Sequence, residues 1–322
     1  MSDRTADVVI VGGGPGGLAA ALALGRAAKR VVLCDAGAPR NSAAEHMHGF
    51  VTRDGIAPVE FRRIAREQLR PYAVTSKEVG VTGIEQVRAG GFEVMLSDGS
   101  SVSCRRVLLA LGMIDELPEL PGLRELWGRS AFSCPYCHGW EARDRRWGIL
   151  ATDTALLEYA IFLTGWTSDV VAFTNGPLDI PAELRARLAQ AGVAIEPRAV
   201  RRMIAGPDRR LTAVETNDGA LVPCEGMVVR PPQRQTALVH RLGLVLDAKG
   251  FVRTDENGQT SIGGIYAAGD LATPMQAAVF AAAAGTRAAY LLNHAMNTEA
   301  RSESSVRAMG SMAGASESAD RA

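Results

Sequence analysis

Three things are scarce in this sequence: net charge, long apolar runs and cysteine. Lys and Arg total 35, as do Asp and Glu, so the chain lacks the basic surplus that binds nucleic acid or anionic membranes. No apolar run approaches the about 18 residues of a membrane span. The apolar strand "ADVVIVGGG" follows the polar "MSDRT" at once. That leaves no room for a secretory signal, and we expect a cytoplasmic protein without nucleic-acid or membrane partners.

The five cysteines are an odd number, which argues against a disulfide framework. We interpret Cys34, Cys104 and Cys224 as small hydrophobic residues at strand ends. Only Cys134 and Cys137, in "SCPYCHGWE", have the spacing of a motif. A zinc site needs further ligands at similar spacing, such as a second CxxC. Because the sequence has none, we predict a redox dithiol and no metal.

Residues 7–35 predict a nucleotide-binding unit of strand, turn, helix and strand. The turn contains Gly12-x-Gly14-x-x-Gly17 directly after an apolar strand and at the start of a helix, which is the context this motif requires. The first glycine permits the tight turn, the second lets the backbone approach a pyrophosphate, and the third lets the helix pack on the strand. The helix N-terminus then holds the phosphates. Asp35 ends the second strand, where a carboxylate can bind ribose hydroxyls.

The pattern of strand, turn, helix and strand occurs a second time in "RWGILATDTALLEYAIFLTGWTSDVVAFTNG", after a proline-containing break at "MIDELPELPGL". "GGIYAAGD" then returns to the first theme. This order predicts an α/β protein with two Rossmann-like nucleotide-binding domains, one inserted into the other. The Ser/Ala/Gly-rich end lacks apolar periodicity and is predicted to be disordered. The predicted boundaries are 1–115 and 227–297 for a discontinuous FAD domain, 116–226 for the inserted NAD(P)-type domain with the cysteine pair, and 298–322 for the tail.

The segment "GIYAAGDLATPMQAA" favours FAD over a nicotinamide in the first site. Asp270 follows a predicted strand, where its carboxylate can accept hydrogen bonds from a ribitol chain. A helix is predicted to start near residues 275–277. Its N-terminus can stabilise negative charge on a reduced flavin ring.

The chain resembles the low-molecular-weight thioredoxin reductase family over residues 7–296. The resemblance is carried by "GGGPGG", "ALG" at 110–112, the CxxC at 134–137 and "GIYAAGD…QAA", which occur in the family's order. It implies a homodimer that binds FAD through Gly12, Gly14, Gly17, Asp35, Gly269, Asp270, Gln276 and Ala277. Further candidates for the FAD site are Pro15, Ala110 and Gly112. In an irregular loop, Arg40 and Asn41 could reach the phosphate or ribityl groups of FAD, and His48 either lines the flavin or the substrate channel or is simply solvated.

Two departures separate the chain from a typical thioredoxin reductase. Where that family has a second glycine-rich turn for NADPH, this chain has Ala151, Thr152 and Asp153, and no Lys or Arg follows the next strand before Arg185. A carboxylate ~4 Å from a phosphate repels it by ~1–4 kcal/mol, so NADP(H) binding is expected to be weak or absent. The loop "GAPRNSAAEHMHGF" and "CPYCHGWE", with His138 where the family usually has Asp, resemble the branch of dithiol oxidases that close disulfides in gliotoxin-, holomycin- and romidepsin-type metabolites.

The resemblance implies FAD-dependent oxidation of a small-molecule dithiol, with oxygen as acceptor and hydrogen peroxide as product. Cys134 is then the exchanging cysteine, and Cys137 faces the flavin. His138 lies next to the pair and suits a proton shuttle, with a structural hydrogen bond as the alternative. Tyr136 and Trp140 either wall a substrate pocket or simply pack. Two other functions stay open: an NADP(H)- or ferredoxin-linked disulfide reductase of a small redox protein, and a redox sensor without turnover.

Overall fold

The structure, a computed structural model, describes residues 6–88 and 90–319, with side chains as far as Glu299. Its strands are β1 (Ala6–Val11), β2 (Val31–Cys34), β3 (Val74–Lys77), β4 (Val81–Gln86), β5 (Phe92–Leu96), β6 (Ser101–Leu109), β7 (Ile114–Asp115), β8 (Ala131–Phe132), β9 (Trp147–Leu150), β10 (Val170–Phe173), β11 (Ala194–Glu196), β12 (Val200–Ala205), β13 (Leu211–Thr216), β14 (Leu221–Pro223), β15 (Gly226–Val228), β16 (Gln233–Arg234) and β17 (Ile265–Ala267). Its helices are α1 (Pro15–Arg26), α2 (Pro58–Leu69), α3 (Leu123–Leu126), α4 (Pro135–Ala142), α5 (Thr154–Leu163), α6 (Ala182–Gln190), α7 (Ala237–Arg241) and α8 (Ala278–Ala319).

The chain divides into two compact units, each built from separate stretches of sequence. The first comprises the chain up to Ala38, Arg62–Met113 and the chain from Gln235 onward, and the second comprises Pro39–Phe61 and Ile114–Arg234. The sequence analysis assigns residues 39–61 to the first domain, whereas the structure groups them with the insertion.

Ion pairs explain why the loop at 39–61 belongs with the insertion. Arg40 donates two hydrogen bonds to the carboxylate of Asp115, from Nε at 2.7 Å and from Nη2 at 2.8 Å. Arg129 pairs with Glu45 at 3.3 Å. These contacts join residues far apart in sequence, so no local pattern in the loop could have indicated them.

The first unit is built on a sheet with the strand order β3-β2-β1-β6-β5-β4, and β17 also pairs with β6. Strands β3, β2, β1, β6 and β17 are parallel, while β4 and β5 extend the sheet antiparallel. Side chains alternate along β1 as its period of two requires. Val8 and Ile10 pack into the layer formed by α1 and α8, and Val9 and Val11 pack into the opposite layer.

Helices α1 and α8 approach each other backbone to backbone. A Cβ atom on Gly285 would overlap the carbonyl oxygen of Gly16. Glycine at this position therefore permits the contact that fixes α1, and with it the start of α1, against the last helix.

The second unit contains a fully parallel sheet with the order β11-β10-β9-β15-β8. Its core includes the fully buried rings of Trp147, Phe132 and Phe173. A separate antiparallel sheet, β12-β13-β14, and the short pair β7-β16 complete the unit. The predicted α/β class with two Rossmann-like domains is confirmed.

The last helix differs from the sequence expectation. The structure continues α8 to Ala319, although residues 298–322 are predicted to be disordered; residues 320–322 lie outside the described range. The segment lacks proline and is rich in Ala, Arg, Glu and Met, residues with high helix propensity that let a helix already packed on α1 propagate. Within the described residues, none of the helices has the length and apolar character needed to cross a bilayer.

Substitution of Gly285 by Ala should destabilise the first unit. Overpacking of this kind costs about 1–3 kcal/mol, which the better helix propensity of Ala offsets by at most about 1 kcal/mol. Urea unfolding monitored by circular dichroism measures the change. The matched control is Gly263→Ala, because a Cβ there meets nothing within 4 Å; equal stability of the two variants would contradict the close contact.

Candidate functional site

The glycine-rich turn of the first unit is shaped by close backbone approaches. Gly12 has a φ of 110°, and a Cβ on it would overlap the carbonyl oxygen of Ala110. A Cβ on Gly17 would in turn overlap the carbonyl oxygen of Gly12. These two glycines are therefore required by the fold of the turn itself, before any ligand is considered.

Gly14 has a different reason to be glycine. It is the N-cap residue of α1, Pro15 follows it, and no side chain caps the helix. A Cβ on Gly14 would meet nothing within 4 Å. The backbone N–H groups of the first turn of α1 thus face open space that a side chain would fill, and such a helix N-terminus favours a phosphate group. The turn fits the pyrophosphate of FAD.

Asp35 is engaged by two arginines that the sequence analysis missed. One carboxylate oxygen of Asp35 accepts hydrogen bonds from Arg62 and, at 2.7 Å, from Arg66, and the other accepts one from the N–H of Gly37 at 3.1 Å. Burial by itself raises the pKa of Asp35, but the Gly37 hydrogen bond and the two guanidinium groups outweigh it and hold the pKa below its usual value. Both arginines lie on α2 at positions i and i+4, a spacing that puts them on one face. A ribose bound at Asp35 would share the carboxylate with them.

Strand register brings the remaining candidates of the first unit to the same sheet edge. Val11, Leu109 and Ala267 are aligned across β1, β6 and β17, and parallel strands end at a common edge. The residues that follow them are therefore neighbours. They include the predicted FAD positions Gly12, Ala110, Gly112 and Gly269.

Asp270 and Gln276 lie between β17 and α8. Asp270 opens a 3₁₀ turn, Asp270–Ala272, and Gln276 donates from Nε2 to the carbonyl oxygen of Asp270 at 3.4 Å. Helix α8 begins at Ala278, directly after Ala277 and one residue beyond the predicted start. The N-terminus of α8 thus follows Asp270 and Gln276 closely, as the sequence analysis expects for a flavin site.

The three loop candidates for FAD lie in the second unit. Arg40 and Asn41 begin a short 3₁₀ turn, Arg40–Ala43, and the guanidinium of Arg40 is held by Asp115. His48 lies between two carboxylates. Contact of Arg40, Asn41 and His48 with FAD stays a prediction.

The cysteine pair lies at the start of α4. Strand β8 leads into it, Cys134 is the N-cap residue, and Pro135 occupies the first helical position, where a missing N–H costs nothing. The N–H of Cys137 donates to the carbonyl oxygen of Cys134 at 3.2 Å. Neither cysteine forms a disulfide in this structure, and both are partly accessible.

The helix start makes Cys134 acidic. A hydrogen bond from the Cys137 thiol is the largest influence, and with the N–H groups of Cys137 and Tyr136 and the charge of Arg230 it lowers the pKa of Cys134 to about 7 against the effect of burial. Sulfur at a helix N-terminus is stabilised as thiolate in this way. Burial instead raises the pKa of Cys34 to about 11 and of Cys224 to about 12, in agreement with their interpretation as inert buried residues.

His138, which directly follows the pair in sequence, is a half-buried base. Its ring stacks on Phe132 with centroids 5.2 Å apart and an interplanar angle of 11°. Both ring nitrogens are buried and make no hydrogen bond of normal geometry to a described residue. Burial lowers the pKa of His138, and backbone groups at Gly128 and Cys134 oppose this only in part. The imidazole is therefore neutral near pH 7 and can accept a proton.

A second group of titratable residues that the sequence analysis missed adjoins His138. Glu141, one helical turn beyond His138, lies 3.5 Å from Nε2 of His48, and Nδ1 of His48 lies 3.5 Å from Asp54. The i, i+3 spacing in "HGWE" could have indicated that Glu141 and His138 share a face of α4. Across the described residues, no set of three or more His, Cys, Asp or Glu side chains is arranged to hold a metal ion.

Two exposed aromatic side chains lie on α4, close to the cysteine pair in sequence. Tyr136 is 74% exposed and Trp140 is 68% exposed, and Tyr136 packs edge-on against Trp166 at 5.2 Å. Arg143 lies over the Trp140 ring at 3.9 Å. Tyr136 and Trp140 therefore offer apolar surface to a ligand beside Cys134, although a role in substrate binding stays a prediction.

In the second unit, the turn between β9 and α5 corresponds to the glycine-rich turn, and a side chain of this turn caps the helix. Ala151 is fully buried at the end of β9. Asp153 is the N-cap residue of α5, and its carboxylate accepts a hydrogen bond from the N–H of Leu156 at 2.8 Å. The first turn of α5 thus already has an anion, whereas the first turn of α1 has none.

Two Rossmann-like units, one with an open phosphate turn and the other with an acidic CxxC thiol, define an oxidoreductase that exchanges thiols and disulfides with the help of a nucleotide cofactor. Residues 6–285 match the family of pyridine nucleotide-disulphide oxidoreductases, and the chain belongs to this family. It is an FAD-dependent thiol–disulfide oxidoreductase.

Relatives support the resemblance found in the sequence. The chain is 40% identical over 176 residues to a probable thioredoxin reductase of Arthroderma benhamiae, a match that covers 53% of this chain and 44% of that protein. It is 31% identical to thioredoxin reductase sirT of Leptosphaeria maculans over 88% of this chain and 91% of that protein. The crystal structure of HlmI is similar with a TM-score of 0.90 at 37% identity, over 97% of this chain and 98% of that one. The predicted relation to thioredoxin reductase-like flavoproteins is confirmed.

Substitution of Gly14 by Val should abolish FAD binding while the fold is kept. The new side chain would enter the open space in front of α1, where the pyrophosphate is expected, and its Cβ atom would meet no protein atom within 4 Å. The ratio of flavin to protein absorbance measures the loss, and circular dichroism checks the fold. Gly263→Ala, remote from the turn in sequence, should keep its flavin. A Gly14→Val protein that remained yellow would contradict this site.

Proposed function

We propose that the protein is a dithiol oxidase that closes an intramolecular disulfide in a small-molecule, natural-product dithiol, with oxygen as the electron acceptor and hydrogen peroxide as the product. The observation that carries the proposal is the carboxylate of Asp153, which fills the first turn of α5. The resemblance of "CPYCHGWE" to dithiol oxidases of natural-product pathways supports the substrate class.

The contrast between α1 and α5 supports electron entry through sulfur. A nicotinamide dinucleotide would place its pyrophosphate at the N-terminus of α5, where Asp153 already accepts the hydrogen bond of Leu156. The Asp153 carboxylate and a pyrophosphate bound there would repel each other, because both are negatively charged. No Lys or Arg lies between β10 and Arg185 to hold a 2′-phosphate. A substrate dithiol needs neither feature.

The reaction of the sulfur atoms follows from the acidity of Cys134. In the oxidised enzyme, a substrate thiolate attacks Sγ of Cys134, the Cys134–Cys137 bond breaks, and Cys137 leaves as a thiolate. The second substrate thiolate then attacks the substrate sulfur of this mixed disulfide, and Cys134 leaves. A leaving thiol with a pKa of about 7 departs readily at neutral pH. FAD, when bound in the first unit, would supply the acceptor for the two electrons of the reduced pair and their route to oxygen.

His138 supplies the base. The neutral thiols of the substrate must lose protons before they attack, because only thiolates are nucleophilic. The buried imidazole of His138 is adjacent to the pair and neutral near pH 7. Glu141 and His48 lie beside it, and Asp54 is exposed to solvent, so a proton taken from the substrate has acceptors that lead outward.

A disulfide reductase is the second candidate, because relatives over most of this chain are called thioredoxin reductase. That function requires reducing equivalents from NADP(H) or ferredoxin. The two candidates differ in which reagent reduces the flavin, so one experiment distinguishes them.

Anaerobic mixing of the FAD-loaded protein with NADPH should leave the flavin absorbance unchanged, whereas dithiothreitol should bleach it. Readmission of air should restore the absorbance and release one hydrogen peroxide per cycle. Cys134→Ser should prevent bleaching by dithiothreitol, while Cys104→Ala, remote in sequence from the redox pair, should not. Rapid bleaching by NADPH would favour the reductase, and a single turnover without repeated peroxide release would favour a redox sensor.

Substitution of His138 by Gln should slow flavin reduction by dithiothreitol about 10²–10⁴-fold, the range for loss of a general base. Since burial lowers the pKa of His138, the acid fall of the wild-type rate, where the imidazole becomes protonated, should have its midpoint below the ordinary histidine value of about 6.5. Stopped-flow absorbance between pH 5 and 9 measures both effects. His240→Gln, on the exposed side of α7, is the control, and an unchanged rate in His138→Gln would reject the assignment.

A further inference from the structure

Strand register places a second charged residue at the start of α4. Strands β8 and β15 are parallel, with Phe132 aligned to Val228. Two residues further along each strand direction lie Cys134 and Arg230. Because parallel strands end at one edge of a sheet, these two residues follow the ends of neighbouring strands at the same edge.

Arg230 has an aromatic partner and no ion pair to a carboxylate. Its guanidinium carbon lies 4.6 Å from the centroid of the Tyr159 ring, on α5, a cation–π geometry. None of the salt bridges among the described side chains includes Arg230. Pro231 and Pro232 follow it and restrict the backbone at this position. The exposed guanidinium of Arg230 is thus held by the Tyr159 ring and by a restricted backbone, and not by an ion pair among the described side chains.

The ionisable groups around Cys134 form one electrostatic cluster. The Cys137 thiol is the largest influence that lowers the pKa of Cys134, and Arg230 adds to it. Burial is the largest influence on Tyr159 and raises its pKa; the charge of Cys134 adds to this, while Arg230 opposes it. Tyr159 therefore stays neutral, and the positive charge of Arg230 is left to act on the sulfur.

We infer that Arg230, held on the Tyr159 ring, is a positioning residue that helps to keep Sγ of Cys134 anionic. Cys134 exchanges with an external thiol in either direction of electron flow. Arg230 therefore stabilises the Cys134 thiolate both when it attacks and when it leaves. The inference concerns the sulfur alone and goes beyond the choice between oxidase and reductase.

The test is the pH dependence of Cys134 alkylation by iodoacetamide in the dithiothreitol-reduced, FAD-loaded protein, followed by mass spectrometry under anaerobic conditions. In the wild type, the rate should rise through a midpoint near pH 7. Arg230→Gln should move the midpoint upward and lower the rate at pH 7 about threefold to tenfold, as a smaller thiolate fraction requires. Arg230→Lys should recover most of the loss, because it restores the charge.

The Tyr159 variants separate the ring from its hydroxyl group. Tyr159→Phe keeps the aromatic face and removes only the hydroxyl group, which also interacts with Arg230, so the midpoint should move less than in Tyr159→Leu, which releases Arg230 altogether and should move the midpoint upward. Arg143→Gln is the matched control, because Arg143 also lies on an aromatic ring of the same unit and has no influence on the Cys134 pKa among those resolved. A role in folding alone would not shift the pH profile.

Wild-type protein offers a measurement that needs no variant. Salt screens an exposed charge, so the midpoint should rise when the ionic strength increases from about 0.01 to 1 M. If Arg230→Gln folds, an alkylation profile identical to that of the wild type would overturn the inference. If Arg230→Gln does not fold, a wild-type midpoint that is insensitive to salt would overturn it. Because no turnover is involved, either result leaves the proposed oxidase function standing, and rapid bleaching by NADPH would leave the role of Arg230 standing.

Discussion

What occupies the first turn of a helix decides how each part of this protein can interact with other molecules. Three helices that start at the carboxyl ends of parallel strands have different first turns. Gly14 leaves α1 open for phosphate, Asp153 closes α5 with a carboxylate, and Cys134 places a sulfur at the start of α4. The same unsatisfied N–H groups thus create a cofactor site, an obstacle and an acidic thiol.

Burial disfavours the charged form of each titratable group, whether that form is an anion or a cation. It keeps Cys34 and Cys224 protonated and keeps His138 neutral, since an apolar environment disfavours each charged form. Cys134 escapes this rule because hydrogen bonds at the helix start stabilise its thiolate. One reactive sulfur next to one neutral base follows from these two effects, whichever substrate is used.

Features encoded in consecutive residues could be predicted from the sequence, and features created by distant residues could not. The glycine-rich turn, β1-α1-β2 and the CxxC pair each occupy a continuous segment with its own periodicity. The arginines on Asp35, the contact of Glu141 with His48, and the placement of Arg230 beside Cys134 depend on packing or strand register. The extent of α8 was missed because polar composition at its end masked residues with high helix propensity.

The close contact of Gly16 with Gly285 has a consequence for synthesis. The nucleotide motif leaves the ribosome well before the helix that backs it, because the inserted unit lies between them in sequence. The inserted unit, finished by Arg234, has all of its chain available earlier and can fold while the other unit waits. Flavin is therefore expected to be held stably only after α8 has been made, and a truncated message that lacked α8 would deprive the glycine-rich turn of its support.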